Sequence, residues 1–211
     1  MTARNQNISF AFGDAQYGHL LPPDSKGVCV NLCAEWLQIF YSDKGSATAR
    51  RAQLLQRVRA ASLTQKAYAN TGVAMDRSYD FVLHMRQIKK VEQHDWNFLQ
   101  MNQLYPLVHQ GRRKGIIFGF AYLDEPSDNP RDGSGHAIAF WRSGKSGLFP
   151  SGHVYVFDPN CGEYKMDKSV FKGWLPRYLE EEYGEHAPVY WVEVVMTEGG
   201  GPQLGGFKQA A

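Results

Sequence analysis

The sequence has no long apolar run, no excess of one charge and few cysteines, and each of these gaps excludes a class of protein. No stretch approaches the roughly 20 apolar residues that span a bilayer, so we expect no integral membrane segment. The 23 basic and 21 acidic residues leave a net charge of +2 without a basic stripe, which argues against a nucleic-acid partner. The opening "MTARNQNISF" lacks the charged start and apolar centre of a cleavable signal peptide.

The three cysteines exclude two further kinds of site. Their number is odd and no CxxC pair occurs, which argues against a disulfide framework and against a zinc site of the usual spacing. The histidines also lack metal-ligand spacing, so we expect neither a metal nor another cofactor. At least one thiol is therefore expected to be free.

Helix-forming residues dominate the first half of the chain, whereas β-branched and aromatic runs dominate the second half. Short Gly, Pro, Asp and Ser clusters separate these runs, which favours antiparallel strands. We therefore predict an α+β fold in which an N-terminal helical half packs on a C-terminal antiparallel β-sheet. One domain is expected over residues 1–196, and the glycine-rich residues 197–211 are expected to form a flexible tail.

Apolar residues at helical spacing predict three N-terminal helices, over residues 28–41, 46–69 and 76–92. A further helix is predicted over residues 168–183, within the sheet-forming half. Pro176 lies inside this last segment and is expected to kink the helix or to end its first part.

Three residues that carry reactive groups lie at the ends of predicted elements. Cys29 follows Gly27 at the start of a buried helix, where the helix dipole and unpaired backbone N–H groups favour a thiolate. His136 lies at the start of a strand between small residues, and Asp158 ends the strand "HVYVFD". If these strands are antiparallel neighbours, Asp158 falls beside His136 and can orient its imidazole, which would in turn accept the thiol proton.

Each of these residues also has an ordinary structural interpretation. A cysteine in a helix is usually a small core residue, and we assign that role to Cys33, one turn further into the same helix. A histidine at a strand end is often only a partly exposed polar residue, and Asp-Pro-Asn is usually only a turn. The order Cys, His, Asp and the placement of all three at element ends favour a shared site.

The motifs around these residues resemble the YopT/AvrPphB-type cysteine proteases of bacterial pathogens. The resemblance rests on "GVCVNLCAEW", "GHAIAFW" and "FDPNCGEY", with the helix "VFKGWLPRYL" also similar, and it covers roughly residues 25–195. It implies a papain-like fold and the catalytic triad Cys29, His136 and Asp158. Papain-like sites commonly place an upstream glutamine in the oxyanion hole, for which Gln16 is the candidate.

The resemblance implies a cysteine protease that cleaves a peptide bond through an acyl-enzyme, acting as a bacterial effector or toxin. Its substrate would be a protein or peptide of a host or competitor. The chain would leave the bacterium without a cleavable signal, as a type III or type VI effector does, and act in a target cell. Two alternatives stay open: an amidase or acyl transferase with the same triad, including a peptidoglycan amidase, and an inactive binding module.

Overall fold

The computed structural model describes residues 3, 6–21, 28–69, 75–109, 115–122, 134–143, 152–184 and 191–200. Two sequence predictions lie outside these residues: the turn at Gly27, and the part of the predicted tail that follows Gly200. No helix in the described part of the chain is both long enough and apolar enough to cross a membrane.

In the described part of the chain, seven strands form one sheet in which every neighbouring pair is antiparallel. The strands are β1 (Ile8–Ala11), β2 (Ile88–Asn97), β3 (Gly115–Tyr122), β4 (Ser134–Arg142), β5 (His153–Asp158), β6 (Gly162–Asp167) and β7 (Trp191–Gly199). Their order across the sheet is β1-β6-β5-β4-β3-β7-β2. The predicted antiparallel sheet of the second half is therefore confirmed, with β1 and β2 from the first half at its two edges.

Helices cover both faces of the sheet. The α-helices are α1 (Asp14–Tyr17), α2 (Cys29–Ser42), α3 (Ala47–Ala69), α4 (Met75–His84), α5 (Leu104–His109) and α6 (Lys168–Tyr183). One core cluster joins α2, α3 and α4 to one face of the sheet, and a second joins α5 and α6 to the other face. Because side chains alternate along a strand, each central strand contributes to both clusters. The α+β class predicted from the sequence is confirmed.

The predicted third helix is wrong at its C-terminal end. Helix α4 stops at His84, and Ile88 already begins strand β2. Gln87 between them has a φ of 55°, in the left-handed region that a continuing helix does not allow. Pairing with β7 from Ile88–Gly199 to Asn97–Trp191 overrides the helical spacing of the apolar residues.

Helix α6 runs without a break through Pro176, so the proline does not end its first part. Proline removes one backbone hydrogen bond, but side chains on both sides of it hold the helix on the sheet. Leu175 before the proline and Leu179 after it are both buried in the core cluster of this face. Tertiary packing therefore outweighs the local cost of the proline.

Strand β7 extends to Gly199, three residues into the segment predicted to be a tail. Thr197 is fully buried, and its hydroxyl donates to the carbonyl of Gly115 at 2.9 Å. The glycine-rich composition of residues 197–211 concealed this end of the strand. The first three of these residues pair with β2, and Thr197 also pairs with β3.

A buried ion pair joins the helical layer to the sheet. The guanidinium of Arg50 in α3 donates from Nε to Glu163 of β6 at 2.7 Å, and both side chains are almost completely buried. The indole of Trp36 in α2 donates to the same carboxylate at 2.8 Å. One carboxylate thus fixes α2 and α3 against β6.

We expect Arg50→Met to destabilise the protein by ~3–5 kcal/mol, because it leaves the charge of Glu163 buried without its partner. Arg59→Met is the matched control, since Arg59 lies exposed on the same helix and should change stability by less than about 0.5 kcal/mol. Urea unfolding at neutral pH measures both. Equal, small effects of the two substitutions would contradict a structural role for the ion pair.

Candidate active site

Two central strands of the sheet, β4 and β5, pair over only part of their length, which leaves a gap between them at the start of β4. Strand β4 pairs with β3 from Ser134–Tyr122 onward, but its register with β5 runs only from Ala139–Phe157 to Arg142–Val154. The start of β4 therefore extends beyond its pairing with β5.

His136 lies in the part of β4 that pairs with β3 but not with β5, and its side chain is 5% exposed. Its Nε2 is 2.9 Å from Oδ1 of Asp158, the last residue of β5. The structure thus brings together the two residues that the antiparallel arrangement predicts to be neighbours. Phe120, opposite His136 on β3, contacts the imidazole edge-on.

Asp158 is fully buried, and both of its oxygens accept hydrogen bonds. Oδ1 accepts from His136 and from the backbone N–H of Asn160 at 2.8 Å. Oδ2 accepts from the hydroxyls of Tyr178 at 2.8 Å and Tyr183 at 2.7 Å, both on α6. A buried carboxylate needs such donors, because removing its charge from water without them is very costly.

Cys29 is the first residue of α2, and its side chain is half-buried. The side chain of His136 and the backbone at Ala137 and Val30 are the groups around its sulfur that lower the pKa of its thiol. Cys33, one turn later, donates its S–H to the carbonyl of Ala137 at 3.3 Å. Cys33 therefore anchors α2, one turn after Cys29, to the part of β4 that does not pair with β5.

The electrostatics of the site favour a thiolate on Cys29. Burial would raise the pKa of the thiol, but the hydrogen bond and positive charge of His136, together with the two backbone contacts, lower it below its ordinary value. The helix N-terminus acts in the same direction.

The same interactions favour an imidazolium on His136. Burial would lower the pKa of its ring, but the charge and hydrogen bond of Asp158, with a contribution from Cys29, raise it to about 10. Burial likewise opposes ionisation of Asp158, yet His136, Tyr183 and the backbone of Asn160 lower its pKa. These pKa directions favour a thiolate on Cys29 beside an imidazolium on His136, which is the arrangement in which a cysteine can act as a nucleophile.

The other two thiols lie in different environments. Cys33 is completely buried, as predicted, and burial raises the pKa of its thiol well above the ordinary value. Cys161 is also buried, and its S–H donates to Glu182 at 3.5 Å. Among the described residues, no group of three or more His, Cys, Asp or Glu side chains is arranged to hold a metal ion.

Gln16, the candidate for the oxyanion hole, lies half-buried in the short helix α1. The backbone N–H of Phe12 donates to the carbonyl of Cys161 at 3.0 Å, which holds the start of α1 against the turn after Asp158. Gly13 has a φ of 149°, and a Cβ there would lie 2.4 Å from the carbonyl oxygen of Asn160, so only glycine permits this approach. Gln16 is thus held on an element that packs beside the Asp158 turn.

The tyrosines that bind Asp158 are functional candidates that the sequence did not reveal. Tyr178 and Tyr183 are five residues apart, a spacing that does not mark one stripe of a helix. Their role depends on where the end of α6 meets the end of β5, which no local pattern encodes.

The fold is similar to that of a bacterial avirulence protein. The crystal structure of Pseudomonas AvrPphB matches with a TM-score of 0.53 and 19% identity, over 82% of this chain and 92% of that chain. PatoxP, a cysteine protease-like domain of the Photorhabdus asymbiotica toxin PaTox, matches with a TM-score of 0.45 and 8% identity, over 93% of this chain and 55% of that chain. No protein-family model matches the chain, and no curated protein sequence is significantly similar to it.

The likeness to AvrPphB confirms the papain-like fold that the sequence motifs implied. At this level of identity it concerns the fold, and the chemistry has to be argued from the residues of this chain.

We expect iodoacetamide to label Cys29 rapidly at about pH 6, because its pKa is lowered from the ordinary value of about 8.5–9. In His136→Ala the thiolate loses its positive partner, so the labelling profile should move to higher pH. Mass spectrometry of the labelled peptides measures Cys29 separately from Cys33 and Cys161.

The buried Cys33 serves as the internal control, since it should stay unlabelled under the same conditions. Identical pH profiles for the labelling of Cys29 with and without His136 would contradict an interaction between the two side chains.

Proposed function

We propose that the chain is a cysteine protease in which Cys29 is the nucleophile, His136 the general acid and base, and Asp158 the residue that orients the imidazole. The observation that carries this proposal is the 2.9 Å hydrogen bond between His136 and Asp158 beside the start of α2, where the imidazole lowers the pKa of the Cys29 thiol. A thiolate at a helix N-terminus beside a buried imidazolium is the arrangement that activates cysteine nucleophiles.

The reaction follows from these roles. The Cys29 thiolate attacks the carbonyl carbon of a peptide bond and forms a tetrahedral intermediate. His136 gives its proton to the nitrogen, the C–N bond breaks, and the amine leaves behind a thioester on Cys29. His136 then takes a proton from water as the water attacks the thioester, which releases the carboxyl product and restores the thiolate and imidazolium.

The developing negative charge on the carbonyl oxygen needs hydrogen-bond donors. The backbone N–H of Cys29, at the start of α2, is one candidate, since the first N–H groups of a helix have no partner within it. Gln16 is the candidate for the second donor, because α1 is held next to the Asp158 turn.

Space for a substrate backbone is present beside His136. Gly135 is exposed, and apart from Gly135 itself and its two chain neighbours no described atom lies within 4 Å of the position that a Cβ would take there. This opening supports a protein or peptide substrate, which would pass along the start of β4 next to the reactive sulfur.

The same triad would also serve an amidase, a peptidoglycan amidase or an acyl transferase, which differ in the bond attacked or in the acceptor of the acyl group. Product analysis separates them: hydrolysis of peptides supports the protease, and transfer of the acyl group to an amine supports the transferase. A chain whose Cys29 does not react with electrophiles would instead be a binding module.

We further infer that the chain acts as an effector or toxin on a protein of a host or competitor cell. The likeness in fold to an avirulence protein supports this role. Export without a cleavable signal, by a type III or type VI route, is the corresponding hypothesis. Detection of the tagged chain in target cells, and its loss when the secretion apparatus is deleted, tests it.

We predict that Cys29→Ala abolishes peptide hydrolysis while the protein stays folded, because it removes the nucleophile from a half-buried helix end. Cys33→Ala is the matched control on the same helix. It should keep its activity and lose some stability, because its thiol is buried and hydrogen-bonded to Ala137. Hydrolysis of a fluorescent unfolded protein and thermal unfolding measure the two effects. An active Cys29→Ala enzyme would refute the assignment.

We predict that Asp158→Asn lowers kcat/KM by roughly 10- to 100-fold. The loss of one charge-assisted hydrogen bond is worth ~1.5–3 kcal/mol, and ~1.4 kcal/mol is tenfold in rate. The geometry should survive, since the new amide oxygen can face His136 while its NH2 donates to the tyrosine hydroxyls, which also accept hydrogen bonds.

Asp167→Asn is the control for this substitution, because Asp167 forms a 3.0 Å pair with His153 on the exposed surface. It should leave the rate unchanged. A rate for Asp158→Asn within about twofold of the unmodified enzyme, under ~0.5 kcal/mol of barrier, would make Asp158 only a turn residue.

A further inference from the structure

Tyr183, the last residue of α6, contacts both partners of the His136–Asp158 pair. Its hydroxyl donates to Oδ2 of Asp158 at 2.7 Å. Its ring stacks on the imidazole of His136, with ring centroids 5.2 Å apart and planes at 28°. A single side chain thus holds the carboxylate through its phenol and covers the face of the imidazole through its ring.

The ring of Tyr183 is itself fixed from the side. Phe120 contacts it edge-on at a centroid distance of 5.0 Å and contacts His136 edge-on at 5.5 Å. The rings of Phe120 and Tyr183 therefore pack against each other and against the imidazole. Such packing leaves the plane of the imidazole little freedom to rotate.

Tyr178 provides the comparison that isolates the ring of Tyr183. Its hydroxyl donates to the same oxygen of Asp158, at 2.8 Å. Its own ring, however, packs against Trp174 and Tyr164. The two tyrosines thus make equivalent hydrogen bonds, and Tyr183 adds the stack on His136.

We propose that Tyr183 is a positioning residue that stabilises the imidazolium of His136 by stacking on it and keeps the ring aligned between Cys29 and Asp158. The proposal rests on the catalytic roles proposed above. A cation within about 6 Å of an aromatic ring centroid is attracted by its electrons, most strongly where water is excluded. Because the imidazolium in turn favours the thiolate, the stack acts on Cys29 through His136.

The test compares three variants by the pH at which Cys29 is half-maximally labelled by iodoacetamide. Tyr183→Phe and Tyr178→Phe each remove one hydrogen bond to the same oxygen and should give similar, small shifts. Tyr183→Leu also removes the ring, and we expect its labelling midpoint to rise by about one pH unit, a tenfold loss of thiolate below the midpoint.

Tyr105→Leu is the control for loss of a buried ring. Tyr105 belongs to the same core cluster and packs on Phe171, away from the imidazole. It should lower the melting temperature and leave the labelling profile of Cys29 in place. A Tyr183→Leu profile that coincides with that of Tyr183→Phe, or an equal shift in Tyr105→Leu, would overturn the proposal.

Tyr183→Met serves if Tyr183→Leu does not fold, because methionine fills irregular space without an aromatic face. The unmodified protein supplies a measurement that needs no variant. The ring current of Tyr183 should move the NMR signals of the His136 ring upfield, and unshifted signals would refute the stack.

These readouts do not depend on turnover, so they separate the two proposals. A protein that shows low-pH labelling of Cys29 and the Tyr183 effect but hydrolyses no peptide would refute the protease and leave the positioning role intact. If the unmodified protein hydrolyses peptides but the Cys29 labelling profile of Tyr183→Leu does not move, only the positioning role is refuted.

Discussion

The buried carboxylate of Asp158 is the constraint on which the site depends. A charge removed from water must be compensated, and the four compensating donors come from three different parts of the fold. The imidazole comes from the start of β4, a backbone N–H from the turn at Asn160, and two hydroxyls from α6. Any change that moves β4 or α6 relative to β5 leaves part of this charge unsatisfied. The requirement that stabilises the carboxylate therefore also fixes the position of His136.

The second constraint is the gap between β4 and β5. Because β4 and β5 pair only from Ala139 onward, the carbonyl of Ala137 is available to Cys33 of α2, one turn after Cys29. Cys29, the proposed nucleophile, lies on one face of the sheet and thereby comes close to an imidazole that packs against α6 on the other face. The ion pair of Arg50 and Glu163 holds the helical layer on the sheet at β6, where Glu163 pairs with Phe157, the residue before Asp158. The two buried charge clusters lie on opposite faces of the sheet, one bound by α2 and α3 and the other by α6.

The similarity in fold to AvrPphB at 19% identity is consistent with a difference between the apolar core and the buried charges. A core of apolar residues tolerates many substitutions when volume and pattern are kept, whereas a buried charge requires particular donors. The residues that surround Asp158 and His136 are therefore more restricted than those that fill either core cluster. The aromatic rings of Phe120 and Tyr183 fall between these cases, since they fill the core and also touch the site.

The sequence alone determined the local features of this protein. Helical spacing placed the start of α2 near Cys29, and alternating runs placed His136 and Asp158 at strand ends, because these signals depend on neighbouring residues. Tertiary structure decided the rest. Ile88 joined a strand against its helical spacing because a distant partner was available in β7, and α6 continued through Pro176 because the sheet held both of its halves. Tyr183 reaches Asp158 only through the packing of α6 on β5, a contact between distant segments that no local pattern encodes.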